Sequence, residues 1–206
     1  LGVESAVGYI SSVANPEDYS MFVVLDIVQA ETMGQISRTG FVKGWSQQKV
    51  AANPKSHKAH VQRLCKQVVT DPAYFKKLYD LAFRIGKEPQ QRALDMESAI
   101  TFWGVLFEPT MHSWRSPKVN WLEAWSGFLR GKFYVENGNS SRWTRTVSRD
   151  LWTQTAAFAA RTMEDESLGF WSEEQAWPGL IDEFVVWCRE KGIVPGKKEK
   201  GMEVDD

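Results

Sequence analysis

A stretch near the end of the chain, residues 177–188, constrains the fold more than any other segment. Its apolar side chains recur every three or four positions, the spacing of one buried face of an α-helix. They are Leu180, Ile181, Phe184, Val185, Trp187 and Cys188. Pro178 suits the first turn of such a helix, because its missing N–H is not needed there. Asp182 and Glu183 fall on the opposite face. The pattern therefore predicts a helix that packs into a core and presents carboxylates to a partner.

Helical patterns continue along most of the chain. Hydrophobic residues make up 43% of its 206 residues, which is ample for a packed interior. A first clear helix is predicted over residues 16–30, with Asn15 as its N-cap and Pro16 in its first turn. Further helix starts are predicted at Arg38, ahead of Val61, at Asp71-Pro72, at Asp95, at Ser116-Pro117 and at Ser148. The sequence therefore predicts an all-α fold.

Two kinds of segment are expected to depart from helix. Residues 135–141 are polar and contain glycine, which predicts a loop. Short strands are expected at Gln35–Ile36 and near Ala93–Leu94, as such pairs occur between helix-loop-helix units.

The residue types that carry catalysis or bind metals form no recognisable site. His57 and His60 could share a helix face, but no acid or thiol lies near them on it, and they are interpreted with His112 as surface histidines. Cys65 and Cys188 lack the neighbours of a reactive thiolate, and are interpreted as reduced core thiols of a nuclear and cytoplasmic protein. No Gly-rich phosphate loop or calcium-binding loop is present. We therefore predict no catalytic residue, no metal and no cofactor.

The net charge of −1 hides an uneven distribution. Residues 38–92 carry twelve Lys/Arg against three acids, and residues 148–190 carry nine acids against three arginines. Most such charges are ordinary solvated helix faces, but an acidic end attracts a basic partner and a basic middle an acidic one. An alternative function is therefore a binding module that contacts nucleic acid or another acidic partner through residues 38–92, although no nucleic-acid motif is recognised. No apolar run reaches the roughly 18 residues of a membrane span, so no membrane partner is predicted.

Three motifs in order along the chain resemble one known family. Residues 30–34 read Ala-Glu-Thr-Met-Gly, residues 94–103 read Leu-Asp-Met-Glu-Ser-Ala-Ile-Thr-Phe-Trp, and residues 176–185 read Ala-Trp-Pro-Gly-Leu-Ile-Asp-Glu-Phe-Val. Together they resemble the potentiating-neddylation (PONY) domain of the defective-in-cullin-neddylation family, in a fungal type of member. The resemblance covers nearly the whole chain. It predicts a PONY domain over residues 1–191, and residues 192–206 are expected to form a disordered tail.

The resemblance implies a helical domain built from two degenerate EF-hand-like helix-loop-helix halves. It also implies a non-catalytic scaffold, or co-ligase, that promotes cullin neddylation alongside a RING ligase subunit and contacts no nucleic acid. In that family an acidic patch binds the C-terminal winged-helix domain of a cullin, and the matching residues here are Asp150, Ala176 and Asp182. Such a scaffold raises the effective concentration of the charged conjugating enzyme and orients its thioester near the acceptor lysine.

The family's second site is a hydrophobic pocket for the acetylated N-terminal Met of the neddylation conjugating enzyme. Acetylation matters because it removes a charged amine that would be costly to bury. The matching residues are Pro16, Met21, Val24, Leu25, Val28, Gly34, Ile36, Ile85, Phe102 and Val105. The alternative for the same residues is plain helix core. We expect some of them to line the pocket and others to lie beneath it.

Overall fold

The computed structural model describes residues 2–107, 112–137, 140–172 and 174–195. Within these residues the chain forms mostly α-helix, with a few short β-strands, so the prediction of a predominantly helical protein is confirmed. The first elements are α1 (Val3–Val13), α2 (Ser20–Ile27), α3 (Arg38–Gln48), α4 (Pro54–Thr70), α5 (Pro72–Gly86), β1 (Leu94–Asp95) and α6 (Met96–Phe107). The later elements are α7 (Trp121–Phe133), β2 (Tyr134–Asn137), β3 (Ser140–Trp143), β4 (Thr146–Val147), α8 (Arg149–Glu164) and α9 (Gly179–Glu190).

The chain divides into two compact units. The first unit comprises residues 1–113 and 143–149, and the second comprises residues 114–142 and 150–206, each as far as it is described. Helices α1 to α6 and strands β1 and β4 belong to the first unit, whereas α7, α9 and nearly all of α8 belong to the second. All ten residues predicted for the hydrophobic pocket therefore lie in the first unit, and all three predicted for the acidic patch lie in the second.

Helix α2 is the centre of the first unit, because seven of its eight residues are buried. Helix α3 crosses its C-terminal end through Gly40 and Gly44. A Cβ atom on Gly44 would overlap the carbonyl oxygen of Ile27 and lie 2.8 Å from its carbonyl carbon. A Cβ on Gly40 would likewise overlap the carbonyl oxygen of Val28. Glycine is required at this crossing because the two backbones are in direct contact.

The helix predicted over residues 16–30 is shorter than expected and is preceded by α1, which was not predicted. Side chains before Ser20 cap turns instead of a helix: Asn15 Oδ1 accepts the N–H of Glu17 at 3.0 Å, and Asp18 Oδ1 accepts that of Ser20 at 2.7 Å. At the other end, Gln29 has a φ of +52°, in the left-handed region, and this ends the helical path.

Two of the predicted helix starts are confirmed by cap hydrogen bonds. Asp71 Oδ1 accepts the N–H groups of the first turn of α5 at 3.0 and 3.1 Å, and Asp95 Oδ1 accepts one from the first turn of α6 at 2.8 Å. The start predicted at Ser116-Pro117 is wrong. Helix α7 begins at Trp121, because Asn120 provides the N-cap and the N–H of Ser116 instead closes a turn onto a carbonyl three residues later, at 3.0 Å.

The short strands pair differently from the sequence-based expectation. Strand β1 pairs antiparallel with β4, with Leu94 opposite Val147 and Asp95 opposite Thr146, and does not join Gln35–Ile36. The loop predicted over residues 135–141 is also wrong, since β2 and β3 form a two-stranded sheet there. Residues 138–139, between these strands, lie outside the described residues. The polar composition that suggested a loop reflects strands whose side chains are largely exposed.

The second unit has an aromatic core. Trp114 donates its indole N–H to Thr162 Oγ1 at 2.8 Å, and Trp121 donates to Ser116 Oγ at 3.1 Å, so these buried rings satisfy their polar atoms. Helix α9 buries the predicted apolar stripe, with the exception of Trp187, which is partly exposed. Pro178 is the N-cap of α9 and not part of its first turn.

The end of the second unit is packed slightly beyond the predicted domain boundary at residue 191. Val194 is only 3% exposed, and the N–H of Ile193 donates to the carbonyl of Cys188 at 2.9 Å. The rest of the predicted tail, from residue 196 onward, lies outside the described residues.

Candidate protein-docking surfaces

A groove of about 390 Å³ lies between α7 and α9 in the second unit. We refer to it as the acidic-aromatic groove. Apolar and charged side chains line it together: Phe128, Lys132, Trp171, Asp182, Glu183, Val186, Trp187 and Glu190. Helix α9 contributes five of these residues, because positions 182, 183, 186, 187 and 190 share one helix face. This is the face that the sequence predicted would carry carboxylates.

The carboxylate of Asp182 is held in place by a buried indole. Trp171, which is only 5% exposed, donates its Nε1–H to Asp182 Oδ1 at 2.8 Å. The guanidinium of Arg189 lies over the ring of Trp171, 4.9 Å from its centroid, and this contact holds the indole from its other side. Asp182 therefore enters the groove with a fixed orientation.

A second carboxylate of the groove is paired with a lysine of the same unit. Lys132 Nζ lies 3.0 Å from Glu183 Oε2, and both side chains remain substantially exposed. The ammonium group also lies 6.0 Å from the ring centroid of Phe128 and 5.8 Å from that of Phe133. A cation with an aliphatic stem thus already contacts one wall of the groove.

The other two residues predicted for the acidic patch are in the second unit but do not line the groove. Asp150 is exposed in the first turn of α8, where its charge also complements the helix dipole. Ala176 is exposed just before Trp177, whose ring packs edge-on against Phe158 of α8 with centroids 5.6 Å apart. Asp150, Ala176 and Asp182 are all accessible at least in part, and their shared role in binding stays a prediction.

The residues predicted for the hydrophobic pocket are mostly core residues of the first unit. Seven are buried: Met21, Val24, Leu25, Val28, Ile36, Ile85 and Phe102. Pro16, Gly34 and Val105 are partly exposed. The turn that contains Gly34 is tied to the end of α5, because the N–H of Met33 donates to the carbonyl of Ile85 at 3.1 Å. Of the ten residues only these three are partly accessible to a ligand, and the grouping of all ten into one pocket stays a prediction.

Two of the three histidines are buried, so the prediction of surface histidines is wrong for them. His57 and His60 are 5% and 6% exposed. His57 stacks on Trp45 with ring centroids 3.7 Å apart, and its Nδ1 lies 3.0 Å from the hydroxyl of Tyr9. Burial lowers the pKa of both histidines, and for His60 the nearby Arg63 guanidinium adds to the effect. His112 is partly exposed, and burial lowers its pKa as well.

Both cysteines are free thiols with weak acidity. Cys188 is buried in α9, as predicted, whereas Cys65 is only partly buried. Burial raises the pKa of Cys188 to about 12. Burial, followed by the nearby charge of Asp18, raises the pKa of Cys65 to about 11. Neither thiol has the lowered pKa of a reactive cysteine.

The described part of the chain provides neither a metal-binding cluster nor a membrane-spanning helix. Over those residues, no group of three or more His, Cys, Asp and Glu side chains is arranged to hold a metal ion. The described helices likewise include none that is both long and apolar enough to cross a bilayer.

Most of the acidic-aromatic groove could not be found from the sequence. Of its eight residues only Asp182 and Glu183 were predicted to face a partner. Trp187 was expected to be buried because it falls in the apolar stripe of α9. Trp171 lies in the connection between α8 and α9, where no periodicity marks it. The one local signal is the spacing of Val186 and Glu190, which puts both on the face of Asp182.

Fold and groove together define a helical protein with an acidic, aromatic surface, the class of surface suited to docking another protein. Comparison with known proteins is consistent with that class. The family described as cullin binding matches residues 56–187. Defective in cullin neddylation protein 1 of Pyricularia oryzae is 38% identical over the whole of this chain and 72% of its own length. The protein of the same name from Eremothecium gossypii is 30% identical over 92% of this chain and 70% of its own. DCN1-like protein 3 of Drosophila melanogaster is 25% identical over 93% of this chain and 50% of its own.

The chain therefore belongs to the cullin-binding family of defective-in-cullin-neddylation proteins, and the resemblance carried by its three motifs is confirmed.

Proposed function

We propose that this protein is a scaffold for cullin neddylation that binds two partners and contributes no catalytic residue of its own. Membership of the family links the chain to cullin neddylation. The observation that carries the proposal is the fixed carboxylate of Asp182 on an acidic, aromatic surface, since that geometry suits a basic protein partner and no bond-making chemistry.

The cullin partner is assigned to the second unit. Asp150, Ala176 and Asp182 are each accessible at least in part, and Asp182 borders a groove with three carboxylates against one lysine. A surface of this charge steers a basic protein into contact and favours the correct orientation. We propose that it docks the C-terminal winged-helix domain of a cullin.

The conjugating enzyme is assigned to the first unit. Seven of the ten residues predicted for its pocket are buried and apolar, and the three that are partly exposed would admit a methionyl side chain. An acetylated N-terminus fits such a surface because its amide carries no charge to desolvate. The two degenerate EF-hand-like halves implied by the resemblance remain part of the proposal.

Binding both partners at once would accelerate the reaction through proximity. The thioester of the conjugating enzyme and the acceptor lysine of the cullin would meet at a raised effective concentration, with a RING ligase subunit acting alongside. The proposal therefore predicts no transfer activity without the conjugating enzyme.

Calorimetric titration of a cullin winged-helix domain tests the acidic surface. We expect the wild type to bind and an Asp150→Arg/Asp182→Arg variant to lose binding, because two attractive charges become repulsive. Glu174→Arg is the matched control, since Glu174 is an exposed acid of the same unit outside the groove. Circular dichroism shows whether the variants are folded. Absence of binding by the wild type would refute the cullin assignment.

Titration of a methionyl peptide tests the pocket. An N-acetylated peptide should bind more tightly than the same peptide with a free amine. Val105→Arg should abolish the difference, whereas Val69→Arg, at an exposed valine of α4, should not. Equal binding of the two peptides by the wild type would contradict the assignment.

A second candidate function is favoured by the charge of α3 and α4. Residues 32–70 contain seven Lys/Arg and no Asp or Glu. Lys55, Lys58 and Lys66 are exposed on α4, on the side opposite its buried histidines. This face could bind an acidic partner such as nucleic acid. Steep weakening of duplex DNA binding with rising salt would support it, and absence of binding at low salt would exclude it.

A further inference from the structure

The acidic-aromatic groove already holds a cation that belongs to the chain itself. Lys132 extends from the last turn of α7 to Glu183 on α9, a separation of 3.0 Å between Nζ and Oε2. Its ammonium group lies near the rings of Phe128 and Phe133. The groove therefore offers the contacts that a long cationic side chain makes: aromatic rings for its methylenes and a carboxylate for its charged end.

The groove keeps the capacity for a second cation. It contains three carboxylates, Asp182, Glu183 and Glu190, against one ammonium group. Glu190 is exposed and forms no ion pair within the described residues. Asp182 is bonded to a neutral indole, which orients its charge without cancelling it. The charge left over among the residues that line the groove is negative.

The apolar lining matches the stem of such a side chain. Val186 is 46% exposed and Trp187 is partly exposed, although both are large apolar groups on a helix with a buried opposite face. A volume of about 390 Å³ is enough for one or two extended side chains. Contact with the methylenes of such a side chain would cover these exposed groups.

We propose that the acidic-aromatic groove is a socket for a lysine or arginine side chain projected by a protein partner, and that Lys132 competes for it in the free protein. The inference rests on the proposed function, since the partner is the one that docks on the acidic surface of the second unit. It goes beyond that proposal because it assigns a self-occupied side-chain site and an internal competitor.

Removing the charge of Lys132 is expected to raise the affinity for the partner, whereas most substitutions on a binding surface lower it. Lys132→Met keeps the stem and removes the charge, so the affinity for a cullin winged-helix domain should rise about two- to fivefold, the effect of a partly exposed ion pair that no longer has to be broken. Lys132→Arg, which keeps a competing cation, should stay within about 1.5-fold of the wild type. Glu190→Gln should weaken binding by a similar factor of about two to five, the value of one partly exposed charge contact.

Lys118→Met is the control for net charge. Lys118 belongs to the same unit and lies 3.6 Å from Glu166, but it does not line the groove. Lys118→Met changes the net charge as Lys132→Met does, and should leave the affinity nearly unchanged. Equal gains from both variants would assign the effect to long-range attraction and overturn the socket. Unchanged or weaker binding by Lys132→Met would overturn it as well.

A measurement without the cullin separates this inference from the proposed function. N-acetyl-lysine methylamide should shift the indole N–H resonances of Trp171 and Trp187, and the uncharged N-acetyl-norleucine methylamide should not. If the cullin domain fails to bind but the lysine derivative shifts both resonances, the socket stands and the partner is wrong. If the cullin domain binds and Asp150→Arg abolishes binding while neither groove variant nor the lysine derivative has an effect, the proposed function stands and the socket is refuted.

Discussion

The backbone contact at Gly44 makes the first unit sensitive to the smallest possible substitution. Gly44→Ala adds one methyl group where α3 crosses α2. That carbon would overlap the carbonyl oxygen of Ile27 and lie 2.8 Å from its carbonyl carbon, whereas ordinary contacts of Cβ atoms begin at 3.4 Å. The obstacle is backbone, so a side-chain rotation cannot relieve it. Moving the carbonyl carbon out to an ordinary contact takes about 0.6 Å, and the overlapping oxygen requires a larger separation of the two helices, although α2 is buried on nearly all sides.

The magnitude follows from two opposing effects. Overpacking usually costs about 1–3 kcal/mol, and we take about 4 kcal/mol here because main-chain atoms must move. Alanine is favoured over glycine inside a helix by about 1 kcal/mol, which offsets part of that cost. We therefore expect Gly44→Ala to lower the free energy of unfolding by about 3 kcal/mol. With a urea dependence of about 2 kcal/mol per molar, the midpoint should fall by about 1.5 M.

Gly104→Ala is the matched control for this measurement. Gly104 lies inside α6 of the same compact unit, and a Cβ there would meet nothing within 4 Å. The same chemical change should stabilise the protein there, by up to about 1 kcal/mol. Urea unfolding followed by circular dichroism compares the two variants with the wild type. The reasoning is refuted if Gly44→Ala unfolds within about 0.3 M of the wild type, a shift near the extrapolation error.

Two further predictions concern buried polar groups of the first unit. The free energy of unfolding should fall as the pH drops below about 6.5, because burial holds the pKa of His57 and His60 below the unfolded value and the unfolded chain then binds more protons. Replacing His60 by Gln should reduce the slope of the free energy of unfolding against pH by at most about 1.4 kcal/mol per pH unit. An identical slope in the variant would contradict this. Tyr79→Phe should lower the free energy of unfolding by about 1–3 kcal/mol, because the buried indole of Trp103 loses the hydroxyl to which it donates at 2.8 Å. Tyr74→Phe is the control, since among the described residues the Tyr74 hydroxyl accepts no indole N–H. Thermal unfolding should show a much smaller loss of stability for this control.

Sequence patterns succeeded where local chemistry decides the structure. Asp71 and Asp95 were predicted as caps because an Asp side chain satisfies the first N–H groups of a helix, and both do so. The buried stripe of α9 was predicted because its period is that of a helix. Ser116-Pro117 misled because a cap followed by proline also begins a turn, and the helix starts only after Asn120.

Features that depend on tertiary contacts were not predictable in this way. Among the residues of α1 whose side chains are described, Ala6, Ile10 and Val13 are the buried ones, a stripe too narrow to separate from a loop rich in small residues. The buried histidines could be mistaken for surface groups because the rings that enclose them come from other helices, such as Trp45 of α3. The groove combines α7, α9 and Trp171 of a connecting segment, and no local spacing joins them.

The weak acidity of the two cysteines has a consequence for the proposed role, in which the protein would act beside a reactive thioester. Transfer of an acyl group between sulfur atoms requires a thiolate as the attacking group. At neutral pH a thiol with a pKa of about 11 is ionised in only about one molecule in 10,000, and one with a pKa of about 12 less often still. In the proposed role, Cys65 and Cys188 would not divert the modifier onto the scaffold, and the acyl group would remain available for the lysine of the bound substrate.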